Sequence, residues 1–268
     1  MRRIEKTFAR LKDEGSGGLI PFITAGDPNL NVTCELIVEL ASSGASVIEL
    51  GVPFSDPMAD GPVIQRSSER ALRNGVGLEQ ILQTVSKARK DTDVPIVLFS
   101  YYNPLLQFGL KKLAQEAARA GVDGVLVTDV PPEEAEDFQN VLSAQGLDMI
   151  YLVAPTSTDA RLQMIAARAS GFIYAVARTG VTGMREESSN SAEILVARVR
   201  AVTSLPVAVG FGISNKSQVD DVLRYADAAV VGSAIVAEIE RQAANADVVK
   251  KVGAFVRRLT PTTSNFKA

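Results

Sequence analysis

A chain of 268 residues, 46% of them hydrophobic, has the size of one (β/α)8 barrel, which takes roughly 250 residues, and enough apolar material for a sizeable core. Its formal net charge of −3 provides no basic footprint for nucleic acid or an anionic membrane. With no histidine and one cysteine, it is excluded from Ser-His-Asp and Cys-His catalysis, from His-based zinc sites and from internal disulfides, so acid–base work falls to carboxylates, lysines, tyrosines or water.

Residues 1–11 are charged and amphipathic, with Ile4, Phe8 and Leu11 on one helical face, which predicts an extra N-terminal helix. They lack the continuous apolar region of a signal peptide, and no run in the chain approaches the roughly 20 apolar residues of a membrane helix, so the expected location is cytoplasmic. Eight short, β-branched-rich runs then recur at 19–24, 46–50, 95–99, 124–128, 149–153, 172–176, 207–210 and 228–232. Near-continuous apolar runs of this length read as strands buried on both faces.

The stretches between them read as helices. Residues 35–41 carry a helical apolar stripe, and Cys34 beside them reads as a small buried helix residue. Pro131-Pro132-Glu133-Glu134 reads as the opening of a helix, and 214–217 as the cap of another. Gly121 and Gly146 stand where helix C-terminal caps belong. Strict alternation implies parallel strands joined by right-handed crossovers. Eight units suggest closure into a barrel, the alternative being a doubly wound open sheet. That alternative carries its glycine-rich loop after the first strand. Here the first strand is followed by Ala25-Gly26-Asp27-Pro28, and the glycine-rich turns follow the sixth, seventh and eighth strands. The expected fold is therefore α/β, a (β/α)8 TIM barrel with an extra N-terminal helix, spanning 1–268 as one domain with a polar tail from 260.

Three features of this pattern bear on chemistry. Gly210-Phe211-Gly212-Ile213-Ser214 and Gly232-Ser233 each run from a strand into a helix; together, at the last two strands, they predict a phosphate site made of backbone amides and helix N-termini. The loop from 179 through 190 is polar and without apolar periodicity, and it reads as a lid. Glu49 lies in an apolar strand, on the same face as Val47. It is either a structural glutamate bonded to backbone or an acid–base group whose pKa burial raises. Asp60, before Gly61-Pro62, is either a helix cap or a second carboxylate over the barrel mouth.

The stretch Glu49-Leu50-Gly51-Val52-Pro53-Phe54-Ser55-Asp56-Pro57-Met58-Ala59-Asp60-Gly61-Pro62 resembles the signature of tryptophan synthase α subunits. Further segments at 21–28, 102–104, 120–124, 180–183 and 210–213 agree with it, in the family's order and across nearly the whole chain. The resemblance implies a lyase that splits indole-3-glycerol phosphate into indole and glyceraldehyde 3-phosphate in tryptophan biosynthesis. It implies that Glu49 is the main acid–base group and that Asp60 stabilises the positive charge on the indole nitrogen. By the same resemblance, Phe22, Ile64, Phe99, Leu126 and Tyr174 line the indole pocket. Gly183, Gly210, Gly212, Gly232 and Ser233 hold the phosphate with Phe211 beside it, and Thr182 positions the catalytic groups. The implied partner is a β subunit carrying pyridoxal phosphate, in an α2β2 tetramer, met by the segments 53–58 and 103–108 through Pro53, Asp56, Asn103, Pro104 and Phe108. No cofactor or metal is expected in this chain. Departures from the family pattern fall near the lid, where Ala177 replaces a common serine and Glu186-Glu187-Ser188-Ser189 a common Leu-Pro. Rival readings are another phosphate-sugar barrel enzyme, a non-catalytic barrel that regulates a partner, and a stand-alone lyase that releases indole.

Overall fold

Alternation along eight doubly buried strands builds the molecule. The computed structural model describes residues 1–176, 185–210 and 212–261, the stretch 185–190 by its backbone alone. The strands are β1 (Gly18–Thr24), β2 (Ile48–Gly51), β3 (Ile96–Ser100), β4 (Gly124–Val127), β5 (Asp148–Val153), β6 (Ile173–Val176), β7 (Val207–Gly210) and β8 (Ala228–Val231). All neighbours pair in parallel, and β8 pairs with β1 through Gly18↔Ala228 to Pro21↔Val231, which closes the barrel and excludes the open sheet. The helices are α1 (Arg3–Asp13), α2 (Leu30–Ser42), α3 (Pro62–Arg73), α4 (Leu78–Ala88), α5 (Tyr102–Phe108), α6 (Leu110–Ala120), α7 (Glu136–Ala144), α8 (Asp159–Arg168), α9 (Arg185–Arg200), α10 (Lys216–Val222), α11 (Ser233–Gln242) and α12 (Val248–Leu259).

Period two sorts each strand into two cores. Leu19, Ile48, Leu50, Ile96, Leu98, Val125 and Met149 face outward and pack under the helices. Ile20, Val47, Val97, Leu126, Ile150, Ala208 and Ala228 face inward and fill the barrel. The predicted N-terminal helix is α1, and its Ile4, Phe8 and Leu11 are buried together with the inward-facing set. Phe8 meets Phe172 at 5.7 Å between ring centroids, and Leu11 lies against Gly18, the first residue of β1, so α1 plugs the N-terminal end of the barrel. Arg2 pairs with Asp148 at the start of β5, and Arg3 with Asp123 ahead of β4, pinning the plug.

Gly121 ends α6 in the left-handed conformation with φ +90, as its place in the sequence predicts. A side chain there would also collide with Arg89. Asn215 caps α10 by accepting from the Gln218 amide. Three expectations need correction. Pro131–Glu134 does not open a helix: the Glu134 amide donates to Pro131 and the Ala135 amide to Pro132, closing turns, and α7 starts at Glu136. The turn carries the prolines, and the acids of the first turn of α7 are Glu136 and Asp137 instead. Of the loop expected from 179 through 190, residues 185–190 are helical, since α9 begins at Arg185 and a polar helix end shows no apolar periodicity, and 179–184 lies outside the described residues. Cys34 lies in α2 but is half-buried rather than buried. Ala177 and the tail from 262 lie outside the described residues.

Candidate active site

At the C-terminal end of the barrel the inward-facing residues stop filling the interior, and a cavity of about 620 Å³ opens. Its polar centre is Glu49. The register of β2 turns this side chain inward, where it is 1% exposed, and its Oε1 has no hydrogen-bond partner among the described residues. Burial drives its pKa up to about 8, so the group stands protonated at neutral pH. A structural glutamate would have its oxygens satisfied; an orphaned, buried oxygen facing a cavity argues for the acid–base reading instead.

Asp60 is the second carboxylate. The N-cap of α3 is Gly61, with no side-chain cap bond and Pro62 in the first turn, so Asp60 does not serve as the cap. Its loop is held from behind: the Ala59 amide donates to the Tyr101 hydroxyl at 2.8 Å, and Gln65 donates to the Asp60 carbonyl at 2.8 Å. Burial raises the Asp60 pKa to about 6, the neighbouring Tyr101 hydroxyl opposing the rise. The two carboxylates therefore differ in charge between about pH 6 and 8, one ionised and one neutral.

Apolar walls surround them. Phe22 and Phe99 meet edge to face at 5.3 Å, and Ile64 and Tyr174 complete a slot suited to a flat ring. Gly51 makes room for the Phe22 ring, which a Cβ would touch at 2.5 Å. Leu126 and Gly210, both expected at the site, do not line the cavity. Leu126 is wholly buried in the filled barrel interior, and Gly210 is closed off by the Tyr174 hydroxyl packed against its Cα. Thr128, Leu152 and Val176 line it instead. Period two carries that signal, since each lies two residues beyond an inward-facing residue, Leu126, Ile150 and Tyr174. Ala59, Ile213, Ser214 and Ala234 also border it.

The same cavity is bordered by Gly212, with φ +72, and by Gly232 and Ser233. No side chain caps α11 at Gly232, and while the Ile235 amide turns back to the Gly232 carbonyl, the Ser233 and Ala234 amides at the helix start border the cavity. The α10 end differs, being satisfied by Asn215 and Gln218. Among the described residues no lysine or arginine lines the cavity, so an anion there would be met by backbone amides and the helix dipole. Thr182, Gly183 and Phe211 lie outside the described residues. Among the described residues no cluster of three or more Cys, Asp or Glu is arranged to hold a metal ion.

Of the expected partner-facing residues, Asp56 and Asn103 are exposed, and Pro104 and Phe108 are half-buried, with the Lys112 ammonium 4.4 Å from the Phe108 ring. Pro53 is buried within this chain, so it supports the loop rather than presenting a surface. Exposed Met58 and Leu106 add apolar area to the same two segments.

The profile of the family described as tryptophan synthase alpha chain matches residues 8–264. The tryptophan synthase alpha chain of Geobacter sulfurreducens is 51% identical over 265 residues, covering 99% of this chain and 100% of that one. The crystal structure of the alpha subunit from Legionella pneumophila superposes with a TM-score of 0.90 at 39% identity, covering 97% of each chain. A chain of the mutually activating α2β2 tryptophan synthase complex of Pyrococcus furiosus superposes with a TM-score of 0.84 at 39% identity, covering 91% of this chain and 97% of that one.

Proposed function

The chain belongs to the tryptophan synthase alpha chain family, and from that premise we propose how its residues carry out the reaction. It is a lyase that cleaves indole-3-glycerol phosphate to indole and glyceraldehyde 3-phosphate in tryptophan biosynthesis. The observation that carries the residue assignment is the orphaned, protonated Glu49 facing a cavity between an ionised Asp60 and an amide-lined end.

The indole ring of the substrate occupies the slot formed by Phe22, Phe99, Ile64 and Tyr174, and its phosphate sits on the amides of Gly212, Gly232 and Ser233. Neutral Glu49 gives its proton to the ring carbon that bears the glycerol chain. The ring becomes a cation, and the Asp60 carboxylate stabilises it by accepting the nitrogen's proton in a hydrogen bond. Glu49, now a carboxylate, takes the proton of the hydroxyl on the adjacent side-chain carbon. The electron pair of that O–H bond forms the carbonyl of glyceraldehyde 3-phosphate. The carbon–carbon pair returns to the ring, restoring neutral indole and protonated Glu49. One group thus acts as acid and then as base, and no cofactor of this chain takes part.

The partner in this reading is a β subunit, docked on the exposed parts of 53–58 and 103–108; the similar Pyrococcus furiosus protein forms an α2β2 complex. Pyridoxal phosphate belongs to that subunit. The whole chain acts as one domain in the cytoplasm, and among the described residues no helix is long and apolar enough to cross a membrane. The test is release of glyceraldehyde 3-phosphate from indole-3-glycerol phosphate by the purified chain, with and without a β subunit. Turnover that rises with the partner is expected. No turnover in either condition, from folded protein, overturns the assignment.

A further inference from the structure

Two helices from distant parts of the chain meet the cavity with their N-terminal ends. α3 follows Asp60 and brings Gly61 and Ile64 to it, and α11 brings Gly232, Ser233 and Ala234. Both pack on β1, the strand that carries Phe22. Further along the two helices, four charged side chains join them. Arg70 of α3 donates to both oxygens of Asp27, through Nε and Nη2, at 2.8 Å each. Its Nη1 donates to Oε1 of Glu240, on α11, at 2.6 Å. One turn back on α3, Arg66 forks onto the same Glu240 at 2.9 and 2.8 Å. Asp27, in the loop after β1, is 1% exposed, so its charge depends on the guanidinium beside it. Asn74 ties the end of α3 to the same loop, donating to the Pro28 carbonyl at 2.9 Å. Paired guanidinium–carboxylate bonds fix direction as well as distance. Hydrogen bonds from Arg66 and from Arg70 hold the Glu240 carboxyl down at about 2, so the link stays charged through the working range. None of these four side chains lines the cavity.

We propose that Arg70 and Glu240 are positioning residues: joined to Arg66 and to buried Asp27, they fix the separation of α3 and α11 and so match the cavity to a ligand that carries an aromatic ring and a phosphate in one molecule. This rests on the assignment of the ring slot and the amide end to a single substrate. The ring lies against Ile64 near the start of α3, and the phosphate lies at the start of α11. Either group alone draws on one of the two helices and tolerates a change in their separation. A molecule that links them does not, and a misplacement of about 1 Å can cost 10²-fold in rate.

The experiment is calorimetric titration of the full chain with three probes: indole, glycerol 3-phosphate, and 3-(indol-3-yl)propyl phosphate, an unreactive molecule that links the two groups. Glu240→Ala removes the link between the helices, leaves Arg70 on Asp27 and places a strong helix former in α11. In that variant the linked probe is expected to bind roughly tenfold more weakly, while each fragment changes by less than about twofold. Arg70→Lys keeps a charge beside Asp27 but cannot fork onto both partners, and it is expected to reproduce the pattern. In both variants kcat/KM falls with the affinity for the linked probe. Loss of stability alone would move the three probes together. Equal weakening of all three, or a linked probe bound as tightly as before, overturns the proposal. If the linked probe binds the unaltered chain no more tightly than indole does, the assignment of the amide end to phosphate is overturned, and the positioning role with it.

Discussion

The two ends of this barrel bury carboxylates to similar depth and treat them in opposite ways. At the N-terminal end, Asp123 meets Arg89 at 2.6 Å and Arg3 at 3.1 Å and accepts the Ile96 amide, while Asp148 meets Arg2. A second cavity there, of about 560 Å³ beside α1, has its arginines and aspartates paired, Arg2 with Asp148 and Arg200 with Asp227. At the C-terminal end Glu49, equally buried, has an oxygen with no partner among the described residues. Burial alone therefore does not mark a functional group. What separates the two ends is whether the charge has been satisfied, and the unsatisfied end is the one left open to a ligand.

Breaking the comparison at Glu49 should give the largest effect. Glu49→Gln is expected to cut kcat/KM by about 10²–10⁴-fold, the worth of a proton transfer. It should also stabilise the fold. Between the ordinary carboxyl value of 4.5 and about 8, the unfolded chain has released a proton that the folded chain still holds, so the glutamate's burial costs more stability as pH rises through that window. Glutamine removes that cost, roughly 3 kcal/mol at pH 7 and almost nothing at pH 4, as urea titrations at the two pH values would read. The mirror experiment is Asp123→Asn, which leaves Arg89 nearly buried without its partner. It is expected to lower stability by about 3–5 kcal/mol while the folded enzyme turns over normally. A variant that lost stability at Glu49 or activity at Asp123 would erase the distinction between the ends.

Smaller effects sharpen it. Asp60 must be ionised and Glu49 protonated in the free enzyme, so kcat/KM should follow a bell with limbs near pH 6 and pH 8. Each limb should fall tenfold per pH unit, as a pH–rate profile would show. Ser233→Ala removes one hydroxyl from an end where amides remain. It should raise KM by about five-fold with kcat little changed, the worth of a single neutral hydrogen bond, measured by steady-state kinetics.

Much of this was legible because doubly buried parallel strands announce themselves as apolar runs, and because glycines at the last two strands have a conformational reason to be there. Ile4, Phe8 and Leu11 showed the helix that plugs the barrel, since three apolar residues on one face need a surface to cover. Depth was harder to read. Period two tells which way Leu126 points but not that the filled interior reaches that level and stops below Thr128. The choice between a structural and a reactive Glu49 turned on partners brought from other strands, which spacing along one strand does not report. Asp60 likewise reads in the sequence as either a cap or a second carboxylate, and the fold decides by giving the cap position to Gly61. Pro53 shares its segment with exposed neighbours, and only the folded loop shows that it turns inward.

The plug formed by α1 has a further consequence for traffic. With Phe8 seated against Phe172 and aliphatic layers stacked above it, the barrel is a blind-ended well, sealed at its base. Substrate enters and products depart through the same rim.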